Sequence, residues 1–174
     1  RDGLNGGAAL GPEMIATGAM LVGNPPLIPS ISVGLETPEQ GRAAVAEHAR
    51  RYYGQEVDGE SMVTVTCGAT EAIFAAMQGL IDPGDEVIMF EPFYDCYVPA
   101  VQMAGGVPRY VPLRAPTPER PEWHFDPAEL AAAFNTATRM LILNTPHNPT
   151  GKVFAAAELA QIAALCVQWD VLAL

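Results

Sequence analysis

The stretch whose residue types best suit chemistry is Leu143-Asn144-Thr145-Pro146-His147-Asn148-Pro149-Thr150-Gly151. It follows an aliphatic run typical of a buried strand and precedes an amphipathic helical pattern. Two nearby prolines restrict the backbone around Asn148, so we expect its amide to be held in one direction. A fixed amide donor suits a phenolate or carboxylate oxygen. The alternative interpretation is a plain Pro-Thr-Gly turn in which Asn148 bonds its own backbone.

A second candidate site is Thr66-Cys67-Gly68-Ala69-Thr70-Glu71, where a predicted strand gives way to a predicted helix. Gly68 lets a ligand approach the backbone, the N–H groups of the first helical turn attract an anion, and Thr70 adds a hydroxyl. This arrangement suits a single phosphate. The three-glycine fingerprint of dinucleotide sites and the Gly-Lys-Thr or Gly-Lys-Ser end of triphosphate sites are both missing. The alternative is an ordinary tight turn between a strand and a helix.

A third candidate is Glu91-Pro92-Phe93-Tyr94-Asp95-Cys96-Tyr97, which also follows a predicted strand. Two aromatic residues come directly after a proline bend, and an aromatic ring in that place can stack on a flat ligand. The alternative is that Phe93, Tyr94 and Tyr97 are core and helix-packing residues, as most aromatic residues are.

The elements that must position these segments alternate between strand and helix. Strands are predicted at 62–66, 86–90, 107–113, 139–143 and 171–174. Helices are predicted from Thr37-Pro38 onward and at 69–81, 94–104, 127–134 and 155–169, with Asp126 and Glu129 forming a capping box. This alternation with short connections predicts an α/β fold, a mostly parallel sheet with helices on both faces. Such sheets bind ligands at the carboxyl ends of their strands, where all three candidate segments lie.

The two parts of the chain differ in pattern. Residues 1–41 are rich in Gly and Pro and show no sustained period, so we predict an irregular segment with one short helix around Pro12 to Met20. Residues 42–174 carry the strand–helix pattern and form the predicted domain. Because the chain opens with Arg1 and its final strand-like run has no turn after it, we expect a fragment of a longer protein.

Composition limits the partners of the chain. The net charge is −11, with 20 acidic and nine basic side chains and no basic stripe, so a nucleic-acid partner is not expected. The three cysteines are odd in number and lack metal-ligand spacing, which argues against a disulfide framework and a metal site and suits a reducing, cytoplasmic location. No apolar run reaches the length of a membrane span, so no membrane association is expected.

Taken together, the three segments offer a phosphate site, a stacking aromatic ring and a directed amide. These groups describe a flat, phosphorylated, hydroxylated heteroaromatic ligand, and pyridoxal 5′-phosphate (PLP) fits that description. Residues 63–114, with Gly68-Ala69-Thr70-Glu71-Ala72 and Asp82-Pro83-Gly84-Asp85-Glu86-Val87, resemble the class I/II aminotransferases of PLP fold type I. So do residues 141–154. The resemblance is to the N-terminal portion of the kynurenine aminotransferase, cysteine-S-conjugate β-lyase and methionine aminotransferase group.

The resemblance implies a cofactor role for individual residues. Gly68, Ala69 and Thr70 would hold the phosphate of PLP. Tyr94 would stack on the pyridine ring. Asn148 would donate a hydrogen bond to the 3′-oxygen and stabilise its charged form.

Further expectations follow from the same resemblance. Asn144 would line the cofactor pocket and contact the substrate carboxylate. Pro92 and Pro149 would follow cis peptide bonds. The substrates would be an amino acid and a 2-oxo acid, and the full-length enzyme would be a homodimer.

The sequence departs from the family at several functional positions. The Schiff-base lysine, the aspartate that pairs with the pyridine nitrogen and the arginine that binds the substrate carboxylate would all lie beyond residue 174. Lys152 is the only lysine, and it stands where the family has a structural residue. The family's tyrosine that reaches the partner subunit's phosphate is missing near Asp2-Gly3-Leu4-Asn5.

We therefore expect a PLP-dependent transaminase, present as a fragment that is inactive alone and contains no catalytic residue. One alternative is a degenerate, non-catalytic module that binds PLP or phosphate. Another is an α/β cofactor-binding domain unrelated to PLP.

Overall fold

The computed structural model describes residues 20–23, 32–35 and 37–174. The chain divides into two compact units, Arg1–Ala69 and Thr70–Leu174.

The described residues of the first unit include two strands and one long helix. Strands β1 (Met20–Gly23) and β2 (Ser32–Leu35) pair in parallel. Helix α1 (Pro38–Tyr53) begins as predicted, because the Thr37 hydroxyl accepts a 3.3 Å hydrogen bond from the N–H of Gln40.

The prediction of loop structure up to residue 41 is wrong at β1 and β2. A four-residue parallel pair has no periodic signature that a single sequence would reveal. The helix predicted around Pro12 to Met20 lies outside the described residues, except for Met20, which belongs to β1.

The strand predicted at 62–66 is not formed. Backbone hydrogen bonds here are local: Met62 N–H donates to Asp58 O, and Thr66 O accepts from Gly68 N–H. The β-branched residues favour an extended backbone, but an extended segment becomes a strand only when another strand pairs with it. Within the described ranges, no strand pairs with this segment.

The second unit is a four-stranded parallel sheet in the order β4-β3-β5-β6. Its strands are β3 (Glu86–Glu91), β4 (Val107–Pro112), β5 (Thr138–Ile142) and β6 (Leu172–Ala173). Its helices are α3 (Tyr97–Met103), α4 (Pro127–Ala133) and α5 (Ala156–Trp169), together with α2 (Gly68–Leu80) from Thr70 onward. The prediction of a parallel α/β sheet is confirmed.

Two apolar clusters cover the two faces of this sheet, because neighbouring residues of a strand point to opposite faces. The α4–α5 cluster comprises Ile88, Phe90, Val111, Leu113, Phe125, Leu130, Phe134, Leu141, Phe154, Ile162, Cys166 and Val171. The α2–α3 cluster comprises Met77, Ile81, Val87, Met89, Tyr97, Ala100, Val101, Met140 and Ile142. Helices therefore pack on both faces, as the sequence predicts.

A polar network joins the amino-terminal ends of the strands. The buried Glu86 carboxylate accepts hydrogen bonds from Arg109 at 2.5 Å and from the Asn135 side chain at 2.7 Å. The hydrogen bond from Arg109 lowers the pKa of Glu86, which keeps its carboxylate charged. The network links β3 to β4 and to the turn before β5, so it helps to fix their alignment.

Two local predictions are wrong. Helix α3 begins at Tyr97 instead of Tyr94, because residues 95 and 96 form a turn, which the hydrogen bond from Tyr97 N–H to Tyr94 O closes at 3.1 Å. Asp126 caps α4 by accepting from Ala128 N–H at 2.7 Å, but the Glu129 carboxylate binds an arginine 15 residues earlier instead of closing a capping box.

Candidate cofactor site

The order of the strands reverses at β3, which lies between β4 and β5. From β3 the chain passes through α3 to β4 on one side, then through α4 to β5 on the other side of β3. Helices α3 and α4 lie on opposite faces. Ligands of open α/β sheets bind outside the carboxyl ends of strands at such a reversal. The loops that follow β3 and β5 meet this condition.

The loop after β3 carries the aromatic residues. The Phe93 ring lies parallel to the Tyr110 ring, with centroids 5.5 Å apart, so Phe93 has a packing role. Tyr97 is buried in the α2–α3 cluster, as the alternative interpretation expected. Tyr94 is half-buried, packs against the same cluster and meets Tyr97 edge to face at 5.8 Å. Tyr94 thus combines contact with the core and partial exposure beyond the strand end.

Thr70 in the first turn of α2 contacts the loop after β3. Its exposed side chain hydrogen-bonds the thiol of Cys96. Burial raises the pKa of Cys96, and the bond with Thr70 opposes that rise only in part. The thiol therefore stays neutral at physiological pH and adds no negative charge beside Thr70.

Gly68 and Ala69 end the first unit. Gly68 adopts a left-handed backbone with φ of +83°, and its carbonyl accepts a 2.9 Å hydrogen bond from the Thr66 hydroxyl. No atom lies within 4 Å of the position of a Cβ at Gly68. The positive φ alone therefore accounts for glycine at this position.

The loop after β5 contains the two asparagines. Asn148 N–H donates a hydrogen bond of 2.6 Å to the side-chain oxygen of Asn144. The Asn148 side chain is exposed, and within the described part of the chain it makes no hydrogen bond. Its own amide is therefore not used by its backbone, contrary to the plain-turn interpretation. Cis peptide bonds precede Pro92 and Pro149, as predicted, and also Pro146, which the sequence analysis missed.

The other half of the same loop is buried, which the sequence did not indicate. His147 is 4% exposed, its Nδ1 lies 2.9 Å from the Thr150 hydroxyl, and its N–H donates to Lys152 O at 2.7 Å. Burial, with a smaller contribution from the positive charge of Lys152, lowers the pKa of His147. A neutral, buried His147 thus fixes the loop from inside.

Lys152 has a structural role. Its ammonium group donates to Trp123 O at 2.8 Å and to the two carboxylate oxygens of Glu158 at 2.8 and 2.9 Å. These three bonds match the three hydrogens of the ammonium group. It also lies 4.9 Å above the ring of Phe154 in the α4–α5 cluster. Lys152 therefore lies on the face of the sheet opposite to the cluster against which Tyr94 packs.

The carboxyl ends of the adjacent strands β3 and β5 carry three candidate residues of the second unit, Tyr94, Asn144 and Asn148. A fourth candidate, Thr70, contacts the loop after β3. The described residues contain no group of three or more His, Cys, Asp and Glu side chains that could hold a metal ion. In that same part of the chain, no helix has the length and apolar character needed to cross a membrane.

The chain matches one family model, that of the class I and II aminotransferases, over residues 33–174. It is 47% identical over 127 residues to mouse kynurenine–oxoglutarate transaminase 3, covering 70% of this chain and 28% of the relative. It is 49% identical over 126 residues to a probable N-succinyldiaminopimelate aminotransferase of Mycobacterium tuberculosis, covering 72% and 31%. The chain thus spans less than a third of the length of these relatives.

Two solved structures agree in fold. The N-succinyldiaminopimelate aminotransferase of M. tuberculosis superposes with a TM-score of 0.72 at 45% identity, covering 79% of this chain and 35% of that one. An Escherichia coli protein with a methionine aminotransferase function gives a TM-score of 0.71 at 38% identity, covering 78% and 34%. With the family model matching most of its length, the chain belongs to the class I and II aminotransferases, a family that uses pyridoxal phosphate.

Proposed function

We propose that the protein carrying this chain is a PLP-dependent transaminase, which transfers an amino group from an amino acid to a 2-oxo acid. The observation that carries the proposal is the exposed Asn148 amide at the end of β5, beside the Tyr94 loop at the end of β3, in a chain of this family.

The residues at the carboxyl ends of β3 and β5 suit the pyridine ring of the cofactor and its 3′-oxygen. Asn148 has a side-chain amide that is exposed and makes no hydrogen bond within the described ranges, so its Nδ2 group is available to donate to the 3′-oxygen. That donation favours the charged form of the oxygen. The half-buried Tyr94 ring, whose packing limits its motion, would stack on the pyridine ring.

The start of α2 suits the phosphate. The Gly68 N–H donates to Thr66 O, and the left-handed backbone of Gly68 begins a 13-residue helix. The N–H groups of Ala69 and Thr70 belong to the first turn of this helix, where the helix dipole is positive, and they would bind the phosphate. The exposed Thr70 hydroxyl adds a donor, and the neutral thiol of Cys96 beside it avoids repelling an anion.

When bound, PLP supplies an electron sink that stabilises negative charge at the α-carbon of the amino acid. The residues of this chain would hold and orient the cofactor. Asn144 would line the same pocket. The Lys152 ammonium group is occupied by Trp123 and Glu158, so it would neither anchor the cofactor nor move a proton.

We further propose that the isolated 174-residue chain has no turnover, since Lys152 is its only lysine and is engaged on the other face of the sheet. The complete enzyme would be a homodimer. Cys67, Cys96 and Cys166 form no disulfide bond among the described residues, which suits the reducing cytoplasm. Sedimentation of the complete protein and fractionation of cells test these two expectations.

The test compares the complete protein with the 174-residue chain. Each is incubated with PLP, an amino donor and a 2-oxo acid, and amino transfer and the visible absorption of bound PLP are measured. The proposal expects transfer by the complete protein, and neither turnover nor a borohydride-trapped adduct on Lys152 in the short chain. Absence of PLP binding and transfer in the complete protein would instead support a degenerate, non-catalytic module.

A further inference from the structure

Asn144 and Asn148 are joined by a short hydrogen bond. The Asn148 N–H lies 2.6 Å from the side-chain oxygen of Asn144. Because a backbone N–H only donates, the carboxamide atom that faces it must be the oxygen. The orientation of the Asn144 amide is thereby fixed by the backbone of Asn148.

This bond ties Asn148 back to the sheet. Leu143 N–H donates to Leu174 O at 2.8 Å, so Asn144 follows directly after a residue that is held beside β6. The neighbouring bonds connect His147 to the end of the loop. His147 N–H donates to Lys152 O, and Gly151 N–H donates to His147 O, both at 2.7 Å. Asn148 therefore lies between two anchored parts of the loop, and Asn144 supplies the link on the strand side.

We infer that Asn144 is a positioning residue, which aims the Asn148 amide by accepting this hydrogen bond. The inference rests on the proposed function, because the direction of the Asn148 amide matters when Asn148 binds the cofactor oxygen. It differs from the role that the resemblance implies for Asn144, contact with the substrate carboxylate. That contact would use the NH2 group of the Asn144 amide as a donor, whereas the bond seen in the structure uses its oxygen as an acceptor.

Substitution by aspartate separates the two roles. Asn144→Asp keeps an oxygen acceptor in the same place and has no N–H to donate, and its charge would repel a substrate carboxylate. Asn144→Ala removes both functions. Thr145→Val is a matched control, because the Thr145 hydroxyl accepts a different hydrogen bond in the same loop, from Phe154 N–H at 3.3 Å.

The first measurement needs no cofactor. Hydrogen–deuterium exchange is followed in the complete, cofactor-free protein, in a peptide that covers residues 146–149. Two of these four residues are prolines without an N–H, so the signal comes from His147 and Asn148. We expect exchange about tenfold faster in Asn144→Ala, because the acceptor is lost, and near wild-type exchange in Asn144→Asp and in Thr145→Val.

The second measurement is the dissociation constant of PLP, with the pH midpoint of the visible absorption of bound PLP. We expect Asn144→Ala to weaken binding about three- to tenfold and to shift this midpoint, with Asn144→Asp restoring both toward wild type. Circular dichroism confirms that each variant is folded. If Asn144→Ala is not folded, the comparison of Asn144→Asp with the wild type decides.

Two results would overturn the inference. One is unchanged exchange in the 146–149 peptide of Asn144→Ala. The other is a PLP dissociation constant and a pH midpoint in Asn144→Ala that equal those of the wild type. Failure of the wild-type protein to bind PLP would refute the proposed function instead, while the exchange data would still report whether Asn144 holds Asn148.

Discussion

Lys152 and Glu158 form an ion pair across the start of α5, with the lysine nitrogen 2.8 and 2.9 Å from the two carboxylate oxygens. The side chain of Lys152 is 6% exposed and that of Glu158 is 23% exposed. Glu158 also accepts from Ala155 N–H at 2.8 Å, so one carboxylate binds both the lysine and the residue that precedes α5. The pair secures the segment that follows Asn148 to the start of α5.

Removing one partner of this pair should destabilise the fold. In Lys152→Ala, Glu158 and the carbonyl of Trp123 lose their donor, and we expect the free energy of unfolding to fall by about 2–4 kcal/mol. The partial exposure of Glu158 places the loss toward the lower value. Urea denaturation measures it.

The double variant Lys152→Met with Glu158→Gln serves as the control. It removes both charges and keeps an oxygen that can accept from Ala155 N–H. It should recover most of the lost stability. Equal stability of Lys152→Ala and the wild type would contradict a structural role for the pair.

Burial of His147 should make stability depend on pH. Its pKa is lowered in the folded protein from the ordinary value of 6.5, so below that pH the unfolded chain takes up a proton first. The contribution of His147 is therefore complete above pH 6.5 and decreases as the pH falls toward the folded pKa, by at most about 1.4 kcal/mol per pH unit. Denaturation in urea at a series of pH values measures this slope.

The variant His147→Asn should flatten this slope, because the titrating group is gone while a polar partner for Thr150 is kept. His124→Asn is the matched control, since it removes an imidazole from a half-exposed position. A slope that is the same in His147→Asn and the wild type would assign the acid sensitivity to other groups.

Two glycines of the second unit should respond in opposite ways to alanine. A Cβ at Gly106 would lie 2.8 Å from Cγ2 of Ile81 and 3.0 Å from Cγ1 of Val101, so Gly106→Ala should cost about 1–3 kcal/mol. At Gly79 in α2, no atom lies within 4 Å of the Cβ position. Gly79→Ala should therefore stabilise by about 0.5–1 kcal/mol, since alanine favours helix. Thermal denaturation compares the two variants. A stabilising Gly106→Ala would mean that the side chains of Ile81 and Val101 move aside at little cost in free energy.

The ring of Tyr94 should contribute to PLP affinity through its aromatic face. Tyr94→Leu keeps apolar packing against the α2–α3 cluster but removes the ring, and we expect the dissociation constant of PLP to rise about three- to tenfold. Tyr94→Phe keeps the ring and should bind nearly as well as the wild type. Fluorescence or absorption titration of the complete protein measures both, and equal affinity of Tyr94→Leu and the wild type would remove Tyr94 from the site.

The fold of the second unit was largely predictable because its signals are local. The strand predicted at 86–90 ends one residue later in the structure, and the helix predicted at 155–169 begins one residue later. Apolar runs between turn residues are sufficient to locate such elements. The segment 62–66 has the same local signal and forms no strand, since strand formation depends on a pairing partner that residue preferences do not specify.

The candidate site was predictable only to the level of its loops. Strand ends in a parallel sheet identify the loops that contain Tyr94 and Asn148, and the order of the strands places these loops side by side. The acceptor role of Asn144 and the burial of His147 depend on the direction of side chains within nine irregular residues. No periodic pattern encodes those directions.

The loop after β5 has one half held by buried contacts and another that exposes the side chain of Asn148. Lys152 and His147 would be retained by any copy of this chain that must stay folded, because both are buried and their polar groups are hydrogen-bonded. The exposed side chain of Asn148 has no such constraint within the described residues, so only ligand binding would preserve it. A gene copy that no longer needs to bind the cofactor would lose Asn148 by random substitution long before it lost Lys152. A copy that lacks Asn148 but keeps Lys152 would therefore have lost its catalytic function while it still folds.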